Sequence, residues 1–238
     1  MSRFSSIVWS SIGKKFLTGL TGLGLCAFII EHLSGNLLLL HKAPEPFNKY
    51  AHFLENFGEL LIVLELGLVA AFVIHIITGI AIAMGRTKSR PYEMRYHKTA
   101  WAGKPSRKSP GSVSMIFTGL VLFVFLIIHL KMFKYGPGID AGYVDAHLTQ
   151  LNGGEKVRDL HKLVVEAFSN KWTVIGYVAV MLLLGTHLSH GFWSAFQSLG
   201  INHPRYAPII YSVGIAFAVV MAVGFLLIPI WMYFRGGA

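Results

Sequence analysis

Five long apolar stretches constrain this chain more than any other feature of its sequence. A helix that crosses the roughly 30 Å hydrocarbon core of a bilayer needs about 20 mainly apolar residues. Five stretches meet that requirement, at residues 16–40, 58–84, 112–130, 174–196 and 206–231. Because lipid cannot satisfy exposed backbone groups, each stretch is expected to be a helix. The sequence therefore predicts an all-α membrane protein, with residues 1–238 forming a single transmembrane domain.

Composition excludes several other classes of protein. Charged residues make up 13% of the chain and hydrophobic residues 54%, whereas soluble domains carry about 25% charged residues. The apolar content rules out disorder, and the single cysteine, Cys26, rules out a disulfide scaffold. A net charge of +10 fits either anionic lipid or nucleic acid. The apolar content favours lipid, so no nucleic-acid partner is expected.

The distribution of lysine and arginine predicts the orientation in the membrane. The loop at residues 85–111 is basic and carries a single acid, Glu93, whereas the loop at residues 131–171 mixes both signs of charge. Basic loops stay on the cytoplasmic side. We therefore expect a multi-pass protein of the cytoplasmic (inner) membrane, with its N-terminus inside and its C-terminus outside. Helical spacing of apolar residues at 155–168, and again from Phe4 to Ile12, predicts two further helices that lie on the lipid surface.

Histidines inside the spans are the strongest functional signal. Ionisable side chains within a membrane helix cost about 2.5–3.5 kcal/mol on insertion scales and usually mark a functional pathway. The offset of each histidine from the nearest flanking Lys or Arg, at 1.5 Å per residue, gives its depth. By this measure His32 and His129 lie toward the outer face, whereas His75, His187 and His190 lie toward the inner face.

Two histidines at one depth on separate helices can hold one haem iron from opposite sides. We predict that His32 pairs with His129 at an outer haem b. We predict that His75 pairs with His190 at an inner haem b, with His187, one turn away, as the alternative ligand. The two levels would differ by something like 10 Å.

Two other interpretations stay open. Each histidine could be an ordinary hydrogen-bonded core residue. Alternatively the histidines could form the relay of a metal or proton transporter, which would run as one continuous path beside acids such as Glu31, Glu59 and Glu65.

Three sequence runs resemble a known family. Residues 187–200 read HLSHGFWSAFQSLG, and residues 15–22 and 31–36 read KFLTGLTG and EHLSGN. These runs resemble the fourth and first spans of the cytochrome b subunit of succinate dehydrogenases and fumarate reductases, in its single-chain, five-helix, dihaem form. The order of His32, His75, His129 and His190, one per span, agrees with the family pattern. One departure is Leu188, which stands where some members carry a glutamate proposed for proton transfer.

The resemblance implies a membrane anchor that binds haem and quinone but does not act on succinate alone. Such anchors hold a flavoprotein with covalent FAD and an iron–sulfur protein at the cytoplasmic face, and pass electrons between the iron–sulfur clusters and quinone. The dihaem form usually uses menaquinone. A cytochrome b anchor of another quinone-linked dehydrogenase is the alternative within the class.

Quinone chemistry moves protons with electrons, so its site needs an acid near a haem. The candidates are Glu59 and Glu65 in the second span, and Glu31 beside His32. Glu31 points about 100° away from its neighbour on the helix. An inner site near Lys14 and Lys15 is the competing location, and the sequence does not decide between the two.

Overall fold

Five helices of this protein are long and apolar enough to cross a membrane. The computed structural model describes residues 3–88, 110–136, 148–151, 154 and 156–236. This part of the chain is mostly helical, and its five long helices indicate a multi-pass membrane protein. The predicted number of spans is therefore confirmed for the described residues.

The elements follow one another with short connections. The five spanning helices are α2 (Ser11–Asn36), α4 (Glu59–Lys88), α5 (Pro110–His129), α7 (Lys171–Ser198) and α8 (Ala207–Gly236). Three shorter helices are α1 (Arg3–Val8), α3 (Glu45–Glu55) and α6 (Leu160–Phe168). A 3₁₀ turn, Leu37–Leu40, extends α2, and a π-helical turn, Leu130–Lys134, extends α5. Strands β1 (Leu148–Gln150) and β2 (Lys156–Arg158) pair antiparallel, with Thr149 opposite Val157.

The spanning helices extend beyond their apolar cores. The first begins at Ser11 rather than residue 16, because the Ser10 hydroxyl accepts the Gly13 N–H at 2.9 Å and caps the helix there. This cap also separates α1 from α2, so the surface helix predicted from Phe4 to Ile12 ends at Val8. We call the end of the bundle where α2 begins the near end, and the end where α2 finishes the far end.

The histidines of the spans lie on α2, α4, α5 and α7, and α8 packs on α7 and α2. Helix α4 packs on α2, α2 on α7, and α7 on both α5 and α8. Small residues allow close approach, as is common between membrane helices. A Cβ on Gly19 of α2 would lie 3.0 Å from the carbonyl oxygen of Ala195, and one on Gly185 of α7 would lie 2.9 Å from the Cβ of Ala222. Substitution at either glycine would force these helices apart.

A small cap closes the far end, and it corrects the prediction for residues 155–168. Within the described residues of that stretch, the helix begins at Leu160, and Lys156–Arg158 form a strand instead. The Asp159 carboxylate starts the helix by accepting the Lys162 N–H at 3.0 Å. The apolar face of α6, which we expected to lie on lipid, is buried against protein; its buried side chains are Leu163, Val164 and Phe168.

Helix α3, which the sequence analysis did not anticipate, holds this cap in place. Asn48 of α3 is 1% exposed. Its amide donates to the Asp159 carboxylate at 2.8 Å and accepts the His161 N–H at 3.0 Å. Arg235, near the end of α8, donates to the carbonyls of His41 and Lys42 at 2.6 and 2.8 Å. The cap therefore links the segment after α2, the segment between β2 and α6, and the end of α8.

Residues 89–109 and 137–147 lie outside the described part of the chain. They include nearly all of the basic loop and part of the predicted external loop. The sidedness of the membrane therefore stays a prediction.

Candidate functional site

His32 and His129 lie face to edge toward the far end of the bundle. Their ring centres are 5.8 Å apart and the ring planes are inclined by 85°. Helix α2 carries one and α5 the other, so the pair bridges two spanning helices. Aromatic rings surround it. Those near His32 are Phe28 and Phe225, and those near His129 are Phe125, Phe133 and Tyr177.

The distance between these ring centres is compatible with two ligands of a single iron, and it also lies in the range of ordinary edge contacts between rings. Bonds from a metal to an imidazole nitrogen are about 2 Å long, and the ring centre lies about 1 Å beyond the nitrogen. Imidazoles on opposite sides of one iron therefore place their ring centres roughly 6 Å apart. The His32–His129 distance fits this value, and the aromatic surroundings suit an apolar macrocycle.

A hydrogen bond fixes the tautomer of His75 toward the near end. Its Nδ1 lies 3.2 Å from the carbonyl oxygen of Thr18 and 3.4 Å from the Thr21 hydroxyl, both on α2. A carbonyl oxygen can only accept, so Nδ1 carries the proton. The Nε2 lone pair is then the one available to a metal, as in most ligating histidines.

The same arrangement recurs at His187 on α7. Its Nδ1 lies 3.0 Å from the hydroxyl of Thr118, a residue of α5 that is 1% exposed. That hydroxyl donates its proton to the Ser114 carbonyl at 3.0 Å, so it accepts from Nδ1. His187, like His75, therefore keeps the Nε2 lone pair.

Glycines face both of these imidazoles. A Cβ on Gly22 of α2 would lie 3.1 Å from the Cε1 of His75, and one on Gly119 of α5 would lie 3.4 Å from the Cε1 of His187. Nothing in the described structure lies within 4 Å of such a Cβ at Gly24, two residues farther along α2. The missing side chain at Gly22 thus gives His75 its position against the α2 backbone.

His187 and His190 each have partners in the described structure. His190 meets Trp193 edge to face, with ring centres 5.9 Å apart. We predicted His190 as the partner of His75 from depth alone, and His187 differs from it in depth by one helical turn. The choice between the two stays a prediction.

The register of α2 and α4 relates the two histidine levels. Thr18 and Thr78 join their hydroxyls at 2.6 Å, and Thr21 contacts His75, so the helices run antiparallel. Thr21 and His32 are 11 residues apart in the sequence, an axial distance of about 16 Å. The levels are therefore farther apart than the 10 Å expected from sequence offsets.

The three candidate acids have different surroundings. Glu31 accepts a hydrogen bond from Tyr50 of α3, a residue whose ring fills the space beside Gly35. Burial, followed by the neighbouring Glu31, raises the pKa of Tyr50, so this hydroxyl keeps its proton. Glu65 forms an ion pair with Lys134 of the π-helical turn. Glu59 is exposed at the start of α4.

Glu31 and Glu65 lie at the level of the His32–His129 pair. Thr18 lies opposite Thr78, and Thr21 lies opposite His75. Continued along the two antiparallel helices, this register sets Glu65 opposite Glu31. Glu59 lies about one and a half turns farther toward the far end. The structure thus brings two of the three acids to the depth of one histidine pair, on two different helices.

Sequence reasoning missed the hydroxyl partners of the histidines. The hydroxyls of Thr18, Thr21 and Ser34 also donate to the backbone carbonyls of Lys14, Leu17 and Ile30 at 2.6–2.8 Å. Sequence reasoning did not single out Thr118 or Tyr177. The available signal was a hydroxyl residue at the same depth as each histidine on a neighbouring span.

No family model, curated protein or solved structure matches this chain. Within the described residues, no group of three or more His, Cys, Asp or Glu side chains could hold a metal ion. The histidine pairs are two-ligand arrangements, which is the number of protein ligands that a haem iron takes when both axial positions are filled.

Proposed function

We propose that this protein is the dihaem cytochrome b anchor of a succinate:quinone oxidoreductase, passing electrons between an iron–sulfur subunit and membrane quinone. One observation carries the proposal. His32 and His129, from different spanning helices, have ring centres at a separation compatible with axial ligands of one iron, among aromatic side chains.

His32 and His129 would hold the haem b of the far end, and His75 with His187 or His190 the haem b of the near end. A bound haem supplies an iron that takes up and releases one electron. The protein residues orient the imidazoles and keep water from the iron. The hydrogen bonds at the Nδ1 atoms of His75, His129 and His187 support this assignment.

The partners in this proposal come from the family resemblance. They are a flavoprotein subunit with covalent FAD and an iron–sulfur subunit, docked at the near end, which would face the cytoplasm. The quinone would be menaquinone. Electrons would then cross between the two histidine levels, separated by about 16 Å along α2.

The acids level with the far-end pair would serve the quinone. Glu31 with its Tyr50 hydrogen bond, and Glu65 with its Lys134 partner, are proton-exchanging groups beside the His32 level. Glu59, nearer the far end, would lead protons toward the surface. The far end would thus be the site where quinone exchanges protons.

An absorption spectrum of the purified chain tests the haem assignment. Reduced protein should give the sharp α-band of bis-histidine haem, at two haems per chain. A chain without a Soret band would refute the proposal and favour a histidine-relay transporter. Purification of the complex tests the enzyme: a covalent flavin in a partner subunit supports succinate chemistry, and haem without covalent flavin indicates an anchor of another quinone-linked dehydrogenase.

A further inference from the structure

Tyr177 of α7 is held rigidly beside the far-end histidines. Its side chain is buried, with 8% of its surface exposed. The rings of Phe125 and Phe168 each meet it edge to face, with centres 4.9 Å apart and planes inclined by 76° and 86°. A third ring, Phe133, packs edge-on at 6.2 Å. These contacts from α5, its π-helical turn and α6 fix where the hydroxyl lies.

The hydroxyl of Tyr177 stands between a histidine nitrogen and a thioether. It lies 3.2 Å from the Nδ1 of His129 and donates to the sulfur of Met132 at 3.8 Å. A phenol has one proton to give. An imidazole that ligates a metal through Nε2 carries its proton on Nδ1, so in the haem-bound protein the hydroxyl oxygen accepts from His129 and directs its own proton to Met132.

We propose that Tyr177 is a positioning residue for His129, and that its hydroxyl lowers the reduction potential of the far-end haem. This inference rests on the proposed function. The hydrogen bond orients the imidazole and leaves Nε2 as the nitrogen that would hold the iron. A ligating imidazole that donates its Nδ1–H becomes more basic, which favours the oxidised iron.

The effect is confined to one haem, because His75 and His187 have their own Nδ1 partners on Thr18 and Thr118. Tyr177 thus sets the far-end iron independently of the near-end iron. The difference between the two potentials determines how readily electrons pass between the levels. A substitution at Tyr177 should therefore change one potential and leave the other in place.

Redox titration of the haem-loaded complex carrying Tyr177→Phe tests the proposal. We expect both haems to bind, and the far-end haem to be more easily reduced by roughly tenfold at a fixed potential, equal to about 59 mV for one electron. The electron paramagnetic resonance signal of that haem should shift as well. The near-end haem should keep the wild-type potential and signal.

Tyr233→Phe is the matched control. Tyr233 lies on α8 with its ring against Phe234, and removal of its hydroxyl should leave both potentials unchanged. If Tyr177→Phe does not assemble, Met132→Leu carries the test. That change removes the sulfur that accepts the hydroxyl proton, and it should raise the far-end potential by a smaller amount.

An unchanged far-end potential in the loaded variant, or equal shifts of both haems, would overturn the inference while leaving the dihaem assignment intact. A wild-type chain that binds no haem would overturn the inference and the proposed function together. A selective far-end shift, absent from the Tyr233 control, would support it.

Discussion

At the scale of single residues, the hydrogen bond at Nδ1 determines what each histidine can do. His75 donates to a helix carbonyl, and His187 donates to a threonine whose own proton is already committed. Both arrangements leave one nitrogen of the ring with a lone pair. A buried imidazole fixed in this way is prepared to bind a metal before the metal arrives.

The first prediction separates His187 from His190. We expect His187→Ala to remove one of two haems per chain, because its Nδ1 has a hydroxyl partner on the neighbouring helix, as ligating histidines do. His190→Ala should keep both haems. Haem content per chain, measured after alkaline pyridine extraction, gives the answer. Loss of a haem in His190→Ala with both retained in His187→Ala would restore the assignment based on depth.

A second prediction uses the glycines of α2 as a matched pair. Gly22→Val should displace His75, since even a Cβ at Gly22 reaches within 3.1 Å of its ring. We expect this variant to lose the near-end haem and keep the other. Gly24→Val meets open space at its Cβ and should keep both. Equal haem content in the two variants would show that Gly22 does not support the His75 position.

At the scale of helices, one ion pair joins α4 to α5, which otherwise touch little. Glu65 and Lys134 are 40% and 37% exposed within the protein, and their helices share few other contacts. Removing one partner leaves a charge facing apolar surroundings, a change that costs more than the pair itself contributes. The pair therefore holds the two helices in register at the His32 level.

The third prediction follows from this pair. Lys134→Leu and Glu65→Leu should each destabilise the protein in detergent by roughly 1–2 kcal/mol, and the double variant should recover most of that loss. Thermal unfolding of the four proteins completes the cycle. Additive losses in the double variant would mean that the two side chains act independently.

The cap at the far end should respond to pH through His161. Burial lowers the pKa of His161 below its ordinary value of 6.5; Asp159 opposes this effect and Arg235 adds to it. Unfolded protein therefore takes up this proton more readily than folded protein. The contribution to stability is full above about pH 6.5 and declines as the pH falls below it.

Hydrogen exchange of the α6 backbone amides measures this response. After correction for intrinsic rates, protection should fall between about pH 7.5 and about pH 5.5, because the cap opens more often once His161 is charged. His161→Gln should remove the dependence. His203→Gln, at an exposed histidine before α8, should preserve it. A decline that persists in His161→Gln would assign the effect to another group.

The sequence predicts a helix well when local composition determines it, and poorly when contacts between distant residues determine it. A spanning helix is determined by local apolar content, so all five were found, with ends displaced by caps such as Ser10. The cap was not found, because α3 and α6 are held by long-range contacts such as Asn48 with Asp159. The apolar spacing at 155–168 predicted a helix that begins only at Leu160, because residues 156–158 pair with β1 as a strand.

In the candidate site, the sequence predicted the depth of the histidines but not their neighbours. Depth along a helix follows from counting residues, and it placed His32 and His129 at one level. Which side chains face each other depends on the rotation of each helix about its axis, which residue counts do not give. That rotation brings Tyr177 to His129 and Thr118 to His187.

At the scale of the whole molecule, four helices carry histidines at two levels and a fifth supports them. Helix α8 packs on α7 and α2, and Gly224 admits the side chain of Leu33 next to His32. Two acids lie at the level of one pair. These features are the basis of the proposed electron path between the two histidine levels.

Haem content of two single variants tests this account most directly. Chains carrying His32→Ala or His75→Ala are purified from membranes and titrated by potential alongside the unaltered chain. We predict two haems in the unaltered chain and one in each variant, with a different potential surviving in each. A chain without haem, or variants that lose the same haem, would contradict the assignment of two irons to two separate pairs of histidines.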